Sequence, residues 1–412
     1  MEHMDEFENG KTYMLLGKDC RGVGGSKSME VYAPGKKDLN LASRNHPWDP
    51  HMPSFSRLLP ECLRPFPSFE GWYTRIIDPV THFSVAVIMA SNYATGESQV
   101  TLLFSPSDQK SDFPLHRSGI KQGGTYAVAV VTKNAKITMP SSDFEEHDSE
   151  PLGFQWEAPD IGKIVVKPNE TQLDVNIKGY VLRAQLTKKL AWNDLHSKEG
   201  PEGWVRRITL FPTHWYIYSL GSRALYTFHN LEEDIVNEGE GYSHQEKNWG
   251  QTFPAGHVWL QALSHDNSSQ LVCAGAYFKV GNLSATPYIF SMGYRSPNQH
   301  VDIRSNELGM WFHNIQISAK DGKFSVVGRS FSYTIQITAD ASPDSFSSPI
   351  LAPIGKLNWE PACRESFLAT VNIELYRHSA WGWFTPKKLV ERRTFNQAAL
   401  EFGEDLLEDF CK

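Results

Sequence analysis

The stretch KFSVVGRSFSYTIQITA (323–339) alternates apolar and polar side chains over much of its length. It is rich in Val, Ile, Phe and Tyr, and it is bordered by Gly322 and Asp340. Because successive side chains of a strand point to opposite faces, a period of two predicts strands that bury one face. This stretch therefore predicts antiparallel β-sheet.

The same alternation recurs along the chain. It is found in HFSVAVIMA (82–90), TYAVAVVTK (125–133), QLDVNIKGYVLRAQL (172–186), QLVCAGAYFKV (270–280) and FLATVNIELYR (367–377). Near the end, apolar residues recur at the three- or four-residue spacing of a helix, at Phe395, Ala399, Phe402, Leu406 and Phe410. We therefore expect an all-β, mainly antiparallel protein with one C-terminal helix packed on a sheet.

The length of 412 residues favours roughly two domains of ordinary size. The first 65 residues are rich in Gly and Pro, which is typical of irregular structure. The segment WNDLHSKEGPEG (192–203) interrupts the β pattern, and a new one begins with TLFPTHWYIYSL. We predict an irregular segment (1–65), a first β domain (66–210) and a second β domain with the terminal helix (211–412).

Composition limits the partners and the compartment. The formal charge of −7 and the lack of a long Lys/Arg run argue against a nucleic-acid partner. No apolar run approaches the roughly 20 residues of a membrane span, and the acidic start MEHMDEFENG differs from signal and transit peptides. We expect a soluble cytoplasmic protein, or a plastid protein if the chain is processed.

Aromatic residues form 12% of the chain, with 12 Trp, 15 Tyr and 23 Phe. Such side chains fill β-sheet cores, and they also line pockets for large apolar ligands. Composition alone does not choose between these roles. An apolar small-molecule substrate would leave open a peripheral association with a membrane or a lipid droplet, and the sequence does not give the oligomeric state.

The signatures of common cofactor and metal sites are missing. The five cysteines lie far apart, and the 15 histidines form no HxH or HxxxH pair. GKDCRGVGG (17–25) lacks the GK[ST] ending of a phosphate loop, and GxSxG is absent. The acids of DLLED (405–409) are expected on the solvated face of the terminal helix. The sequence therefore predicts no cofactor and no metal.

The segment SFEGWYTRI (68–76) carries a first candidate carboxylate. If it is a strand, Glu70 and Trp72 point to one face and Tyr73 points to the other. A carboxylate among apolar neighbours must be paired, hydrogen-bonded or protonated. Glu70 is therefore either a structural residue that ties strands together or a catalytic acid, and this motif alone does not decide.

The segment YSHQEKNWG (242–250) carries a second candidate carboxylate, Glu246. As a strand, it places His244, Glu246 and Asn248 on one face and Gln245, Lys247 and Trp249 on the other. In the following HVWLQ, Trp259 and Gln261 share a face that could lie beside the polar trio. The alternative is a hairpin end with a surface Glu–Lys pair, although the Trp, Tyr and Gly residues here are unusual for a solvated turn. We predict that Lys247 is structural and does not act with Glu246 as an acid–base couple.

At these motifs the chain resembles the tocopherol cyclase family, which is similar in motif layout to the carotenoid hydratase and lipocalin-like β proteins. The resemblance rests on FEGWY (69–73), GPEGW with FPTHWYIYSLGSRA (200–224), EKNWG with FPAGHVWLQ (246–261) and LAPIGKLNWEPACRESFLATVNIELY (351–376). It implies two lipocalin-like β-barrel or β-sandwich halves that face each other across a substrate cleft. It also implies an intramolecular cyclase that closes an oxygen heterocycle on a prenylated hydroquinone without redox change or metal.

Residue by residue, the resemblance puts Glu246 at the acidic position of the EKNWG motif. Ring closure requires an acid that protonates a trisubstituted alkene, and burial can keep a carboxyl group neutral for this purpose. We expect Glu246 to be this acid or to orient it, with Glu70 as the second candidate. The other expected site residues are Asn248, His244 and Tyr242 for the nucleophilic oxygen, Trp72, Tyr73, Trp249 and Trp259 for the carbocation, and Gln261.

Three alternatives remain open on the same scaffold. A pericyclase would fold a polyene for cycloaddition without a strong acid. A hydratase would incorporate oxygen from solvent. A lipocalin-like carrier would bind isoprenoids or other lipids without transforming them.

Overall fold

The computed structural model describes residues 29–32, 68–105, 124–140, 154–167, 169–192, 200–208, 211–279, 287–354, 358–378 and 387–411. Within these ranges nearly all regular structure is antiparallel β-sheet, as the alternation predicts. Short 3-10 helices occur at Gly203–Arg207, Pro343–Ser345 and Asp405–Cys411. None of the helices in these ranges is long and apolar enough to span a bilayer.

The first sheet occupies the chain from Met29 to Gly250 and has twelve strands in its described part. They are β1 (Met29–Tyr32), β2 (Phe69–Ile77), β3 (Ser84–Asn92), β4 (Glu97–Ser105), β5 (Tyr126–Thr132), β6 (Lys136–Pro140), β7 (Phe154–Ala158), β8 (Gly162–Val166), β9 (Glu170–Ile177), β10 (Tyr180–Thr187), β11 (Thr213–Asn230) and β12 (Ile235–Gly250). Their order is β1-β6-β7-β8-β9-β10-β11-β12-β2-β3-β4-β5. The two candidate motifs are thus neighbours, because β12 pairs with β2.

The second sheet follows from Gly256 to Glu404. Its described strands are β13 (Gly256–Leu263), β14 (Gln270–Tyr277), β15 (Ile289–Ser296), β16 (Gln299–Arg304), β17 (Trp311–Ser318), β18 (Lys323–Arg329), β19 (Tyr333–Asp340), β20 (Ile350–Ile354), β21 (Asn358–Arg377) and β22 (Lys388–Glu404). Their order is β16-β15-β14-β13-β22-β21-β19-β18-β17, and β20 pairs with β21. The stretch 323–339 forms the hairpin of β18 and β19.

Each sheet curls around its own core. Side chains from across the first sheet, including Trp72, Trp156 and Phe228, meet in one buried cluster. The second sheet buries a corresponding cluster. A third cluster, which includes Tyr73 and Trp259, joins residues of both sheets. The fold is therefore two curled β units that pack on each other, and the predicted fold class is confirmed.

The C-terminal helix is shorter than the apolar spacing predicts. The strand β22 continues to Glu404, and only Asp405–Cys411 is helical, with Phe410 packed on Phe402. The pairing of β22 with β21 shifts register near Ala369, and Gln397 has a positive φ of 54°. Such a bulge inserts an extra residue into the alternation, so that buried positions acquire a helix-like spacing.

The two sheets divide the chain after Gly250. The boundary predicted at residues 210 and 211 falls just before β11, which belongs to the first sheet. The predicted irregular segment 1–65 lies outside the described residues except for β1, which is a strand. The Gly-rich stretch 17–25 also lies outside them.

Candidate active site

The pairing of β12 with β2 fixes which side chains can act together. Glu246 lies opposite Tyr73, and Lys247 lies opposite Trp72. The motif ends in glycine because a Cβ atom on Gly250 would lie 2.3 Å from a backbone oxygen. Strand alternation then sends Glu246 and Tyr73 to the side of the second sheet, while Lys247 and Trp72 face the core of the first sheet.

A cavity of about 300 Å³ lies between the two sheets. The first sheet contributes Phe69, Gly71, Tyr73, Ile88, Gln99, Trp215, Glu246 and Asn248, and the second sheet contributes His257, Val258, Trp259, Ala274, Ile289, Phe290 and Ile350. The walls are mainly aromatic and aliphatic, with a few polar groups. This composition is typical of sites that bind apolar small molecules.

Glu246 is the polar centre of one wall of the cavity, and it is only 4% exposed. Its Oε2 atom accepts a hydrogen bond from Trp259 Nε1 at 3.2 Å and lies 3.0 Å from His244 Nε2. Asn248 Nδ2 donates to Oε1 at 3.4 Å. These contacts hold the carboxyl group in place on the cavity wall. The predicted grouping of His244, Glu246, Asn248 and Trp259 is present in the structure.

Tyr73 links this wall to a second buried carboxyl group. Its Oη atom lies 2.7 Å from Glu365 Oε1 on β21, although the two residues are 292 positions apart. The Tyr73 ring also meets the Trp259 ring edge-on, with centroids 5.2 Å apart. Burial is the main cause that raises the pKa of Glu365 well above its usual range, followed by the negative charge of Glu401.

Arg75 lies behind Tyr73 on the same strand and is fully buried. It donates to Gln261 Oε1 at 2.8 Å and to the backbone oxygen of Gln397 at 2.7 Å. Burial lowers the pKa of Arg75 from its usual value. The predicted site residue Gln261 therefore lies at the sheet interface, where it holds Arg75 and does not line the cavity.

Five other predicted site residues do not line the cavity, and one of them, His244, lies beside Glu246 behind the cavity wall. Glu70, Trp72 and Trp249 point to the opposite side of β2 and β12, where Glu70 lies 3.7 Å from Lys247 Nζ. The same nitrogen lies 4.5 Å from the Trp249 ring centroid. Tyr242 is half-buried further along β12. Alternation explains why Glu70, Trp72 and Trp249 face the other way, since each lies an odd number of positions from Tyr73 or Glu246 on its strand.

One cluster in the cavity wall brings together residue types that can bind metals. His257, Cys363 and Glu401 each offer a ligand atom, and these atoms lie within 4.8 Å of one another. His257 Nε2 is 2.8 Å from Glu401 Oε1, so this nitrogen and the carboxyl group already pair with each other. Burial raises the pKa of the Cys363 thiol well above its usual value, which disfavours the thiolate that binds metals. The spacing argument missed this cluster because its members come from three different strands.

Sequence reasoning also missed Glu365. A signal was present, because ACRESFLA (362–369) places Cys363, Glu365 and Phe367 on one face of a strand. A carboxylate between apolar residues on one strand face is the argument that singled out Glu70. The pairing with Tyr73 required the structure.

Comparisons with known proteins point to one family. A family model described as "Tocopherol cyclase-like" matches residues 64–404. The chain is 21% identical to "Tocopherol cyclase, chloroplastic" from Zea mays, over 90% of this chain and 80% of that protein. It is 26% identical to "Probable tocopherol cyclase, chloroplastic" from Oryza sativa subsp. japonica, over 52% of this chain and 44% of that protein.

Among solved structures, the crystal structure of CghA with Sch210972 has a similar fold. The TM-score is 0.54 at 8% sequence identity, and the match covers 91% of this chain and 98% of that chain. At this level of identity the likeness concerns the fold.

Proposed function

The chain belongs to the tocopherol cyclase-like family, and on that premise we propose that it is an intramolecular cyclase that closes an oxygen heterocycle. The substrate would be a prenylated hydroquinone or a similar polyunsaturated terpenoid with a free hydroxyl group. Membership of the family supports a cyclase-type enzyme. The substrate class and the mechanism rest on the cavity.

The reaction adds an O–H bond across a trisubstituted alkene of the same molecule. A general acid protonates the alkene, the tertiary carbocation is captured by the hydroxyl oxygen, and the hydroxyl proton passes to a base. Atoms and electrons balance without an oxidant, a reductant or a second substrate. Alkenes are very weak bases, so the acid must work in a cavity that excludes water.

The observation that carries the proposal is the buried carboxylate of Glu246, which lies on an aromatic part of the cavity wall. Trp259 and Tyr73 present their rings beside it, and a well-placed ring stabilises a cation by about 0.5–2 kcal/mol. A carboxylate at the same place can hold the nucleophilic hydroxyl group and accept its proton. Glu246 therefore takes part in the proton transfers of the reaction, as the acid that protonates the alkene or as the base that holds the hydroxyl group and accepts its proton.

Isotopic water tests the proposal. We expect a prenylated hydroquinone to give a product of unchanged mass in ordinary water. In D₂O the product should gain one deuterium on carbon, and in H₂¹⁸O it should gain no ¹⁸O, because the ring oxygen comes from the substrate. Mass spectrometry and NMR locate the label.

The same experiment separates the alternatives. A hydratase would give a product heavier by one water that carries ¹⁸O from the solvent. A pericyclase would give an isomer without deuterium on carbon. A lipid carrier would bind the substrate and return it unchanged. Any of these results would contradict the proposed cyclisation.

Removing metal ions tests cofactor independence. We expect dialysis against EDTA to leave turnover unchanged, because His257 Nε2 is paired with Glu401 and burial disfavours the Cys363 thiolate. The measurement compares kcat before and after chelation, with elemental analysis of the protein. Loss of turnover that Zn²⁺ restores would instead assign a metal to these residues.

We also propose a partner and a location for the protein. The partner is an apolar small molecule, and a peripheral association with a membrane or lipid droplet would give access to it. We propose the cytoplasm, or the plastid if the chain is processed; the cyclases from maize and rice named above are chloroplastic.

A further inference from the structure

Glu365 is a carboxyl group in a place where a charge would be costly. It is 0% exposed, and no ion pair with it is found in the described part of the chain. Its Oε1 atom lies 2.7 Å from Tyr73 Oη, and its Oε2 atom has no hydrogen-bond partner among the described residues. A buried carboxylate needs a counter-ion or several donors, and one hydroxyl group is too little. The geometry favours the neutral acid.

The carboxylates near Glu365 act on its pKa in the same direction as its burial. The titratable groups that act on it or feel its charge are Tyr73 and Arg75 on β2, Glu246 on β12, Cys363 on β21 and Glu401 on β22. Burial and the carboxylates of Glu401 and Glu246 raise the pKa of Glu365, while Tyr73 and Arg75 oppose this rise. Glu365 is thus a proton reservoir behind the cavity wall.

We propose that Tyr73 is the proton donor to the alkene and that Glu365 is the positioning residue that keeps it supplied with a proton. The proposal rests on the proposed cyclisation and names the source of its proton. Tyr73 lines the cavity, whereas Glu365 does not and must act through it. The short distance between their oxygens provides the path.

Two protons are present when a phenol meets a neutral carboxyl group. In one arrangement Tyr73 donates to Glu365; in the other the carboxyl group donates to the phenol oxygen, and the phenol O–H is free for the substrate. Burial and the nearby Glu365 raise the pKa of Tyr73 well above its usual value, so a lasting tyrosinate is unfavourable. Proton delivery to the alkene must therefore be coupled to transfer from Glu365.

The proton transfers balance over one catalytic cycle. The alkene carbon gains the Tyr73 proton, Tyr73 regains one from Glu365, and the resulting carboxylate is stabilised by the positive charge of Arg75. The nucleophilic hydroxyl group loses its proton to Glu246 as the C–O bond forms. Return of a proton from Glu246 to Glu365 restores the starting state. Two carboxyl groups in different environments thus divide the acid and base roles.

Kinetics of two variants test this assignment with a prenylated hydroquinone as the substrate. Tyr73→Phe should lower kcat at least about 100-fold with little change in KM. Glu365→Gln keeps a hydrogen-bonding group but has no acidic proton to transfer, and it should lower kcat about tenfold or more. In the wild type kcat should fall as the pH rises and Glu365 ionises. This high-pH limb of the pH profile should be missing in Glu365→Gln. A purely structural contact would not move the pH profile.

The matched control is Tyr93→Phe. Tyr93 donates to buried Glu70 at 3.1 Å on the other side of β2, so this variant removes the same kind of contact away from the cavity. We expect its turnover to equal that of the wild type. Wild-type kcat in Tyr73→Phe, or an unchanged pH limb in Glu365→Gln, would overturn the proposal while leaving the cyclisation intact. Absence of cyclised product from the wild type would instead refute the proposed function.

Infrared spectroscopy tests the reservoir without any substrate. The wild type at neutral pH should show the C=O stretch of a protonated carboxyl group that disappears in Glu365→Gln. The band should shift in Tyr73→Phe, because the hydrogen bond is lost. If no protonated carboxyl band depends on Glu365, the residue is ionised and the proposal fails.

Discussion

Glu246→Gln should lower kcat about 10³-fold, within the range by which a positioned acid or base accelerates proton transfer. Gln keeps the shape of the side chain and an oxygen that can accept from Trp259 Nε1, as Glu246 does at 3.2 Å. It cannot accept the hydroxyl proton, and it removes the negative charge beside the cation. The loss should therefore appear in kcat, while KM and the thermal unfolding temperature change little.

The control for this variant is Glu391→Gln. Like Glu246, Glu391 accepts a hydrogen bond from an aromatic side chain, here from Tyr294 Oη at 2.7 Å, but it does not line the cavity. Its substitution should leave kcat unchanged. If Glu246→Gln turns over as fast as the wild type and unfolds at the same temperature, Glu246 has no part in the proton transfers. A pericyclase would show this insensitivity.

Local periodicity was enough to predict the faces of the candidate strands. Alternation alone grouped Glu246 with His244 and Asn248 and set Lys247 on the other side, and the structure has this arrangement. The reason is physical, because a strand paired on both edges cannot rotate about its axis. Alternation likewise set Tyr73 apart from Glu70 and Trp72, although the sequence motifs predicted all three in the site.

Contacts between distant strands could not be predicted in this way. Tyr73 and Glu365 meet across the two sheets, and the local sequence around either residue does not predict this contact. The register shift opposite Ala369 produced a helix-like spacing in β22, and a single extra residue in a strand has no reliable sequence signal. The division of the sheets after Gly250 follows from the pairing of β12 with β2, which is also a long-range contact.

Glu70→Gln should lower the free energy of unfolding by about 3–5 kcal/mol and leave kcat of the folded protein unchanged. Both members of the Glu70–Lys247 pair are fully buried, with Oε1 and Nζ 3.7 Å apart. Removal of one charge leaves the other in a medium that solvates it poorly. Thermal unfolding measures the loss of stability, and kcat is measured well below the transition.

The double variant Glu70→Gln/Lys247→Met tests whether the broken Glu70–Lys247 pair causes the loss of stability. Replacing both charges removes the uncompensated ion, so most of the lost stability should return. The ammonium group also lies over the Trp249 ring, 4.5 Å from its centroid, and loss of this contact should leave a deficit of about 0.5–2 kcal/mol. A double variant no more stable than Glu70→Gln would show that the pair does not couple. A drop in kcat of folded Glu70→Gln would show that Glu70 takes part in the reaction, although its side chain lies on the side of β2 that faces away from the cavity.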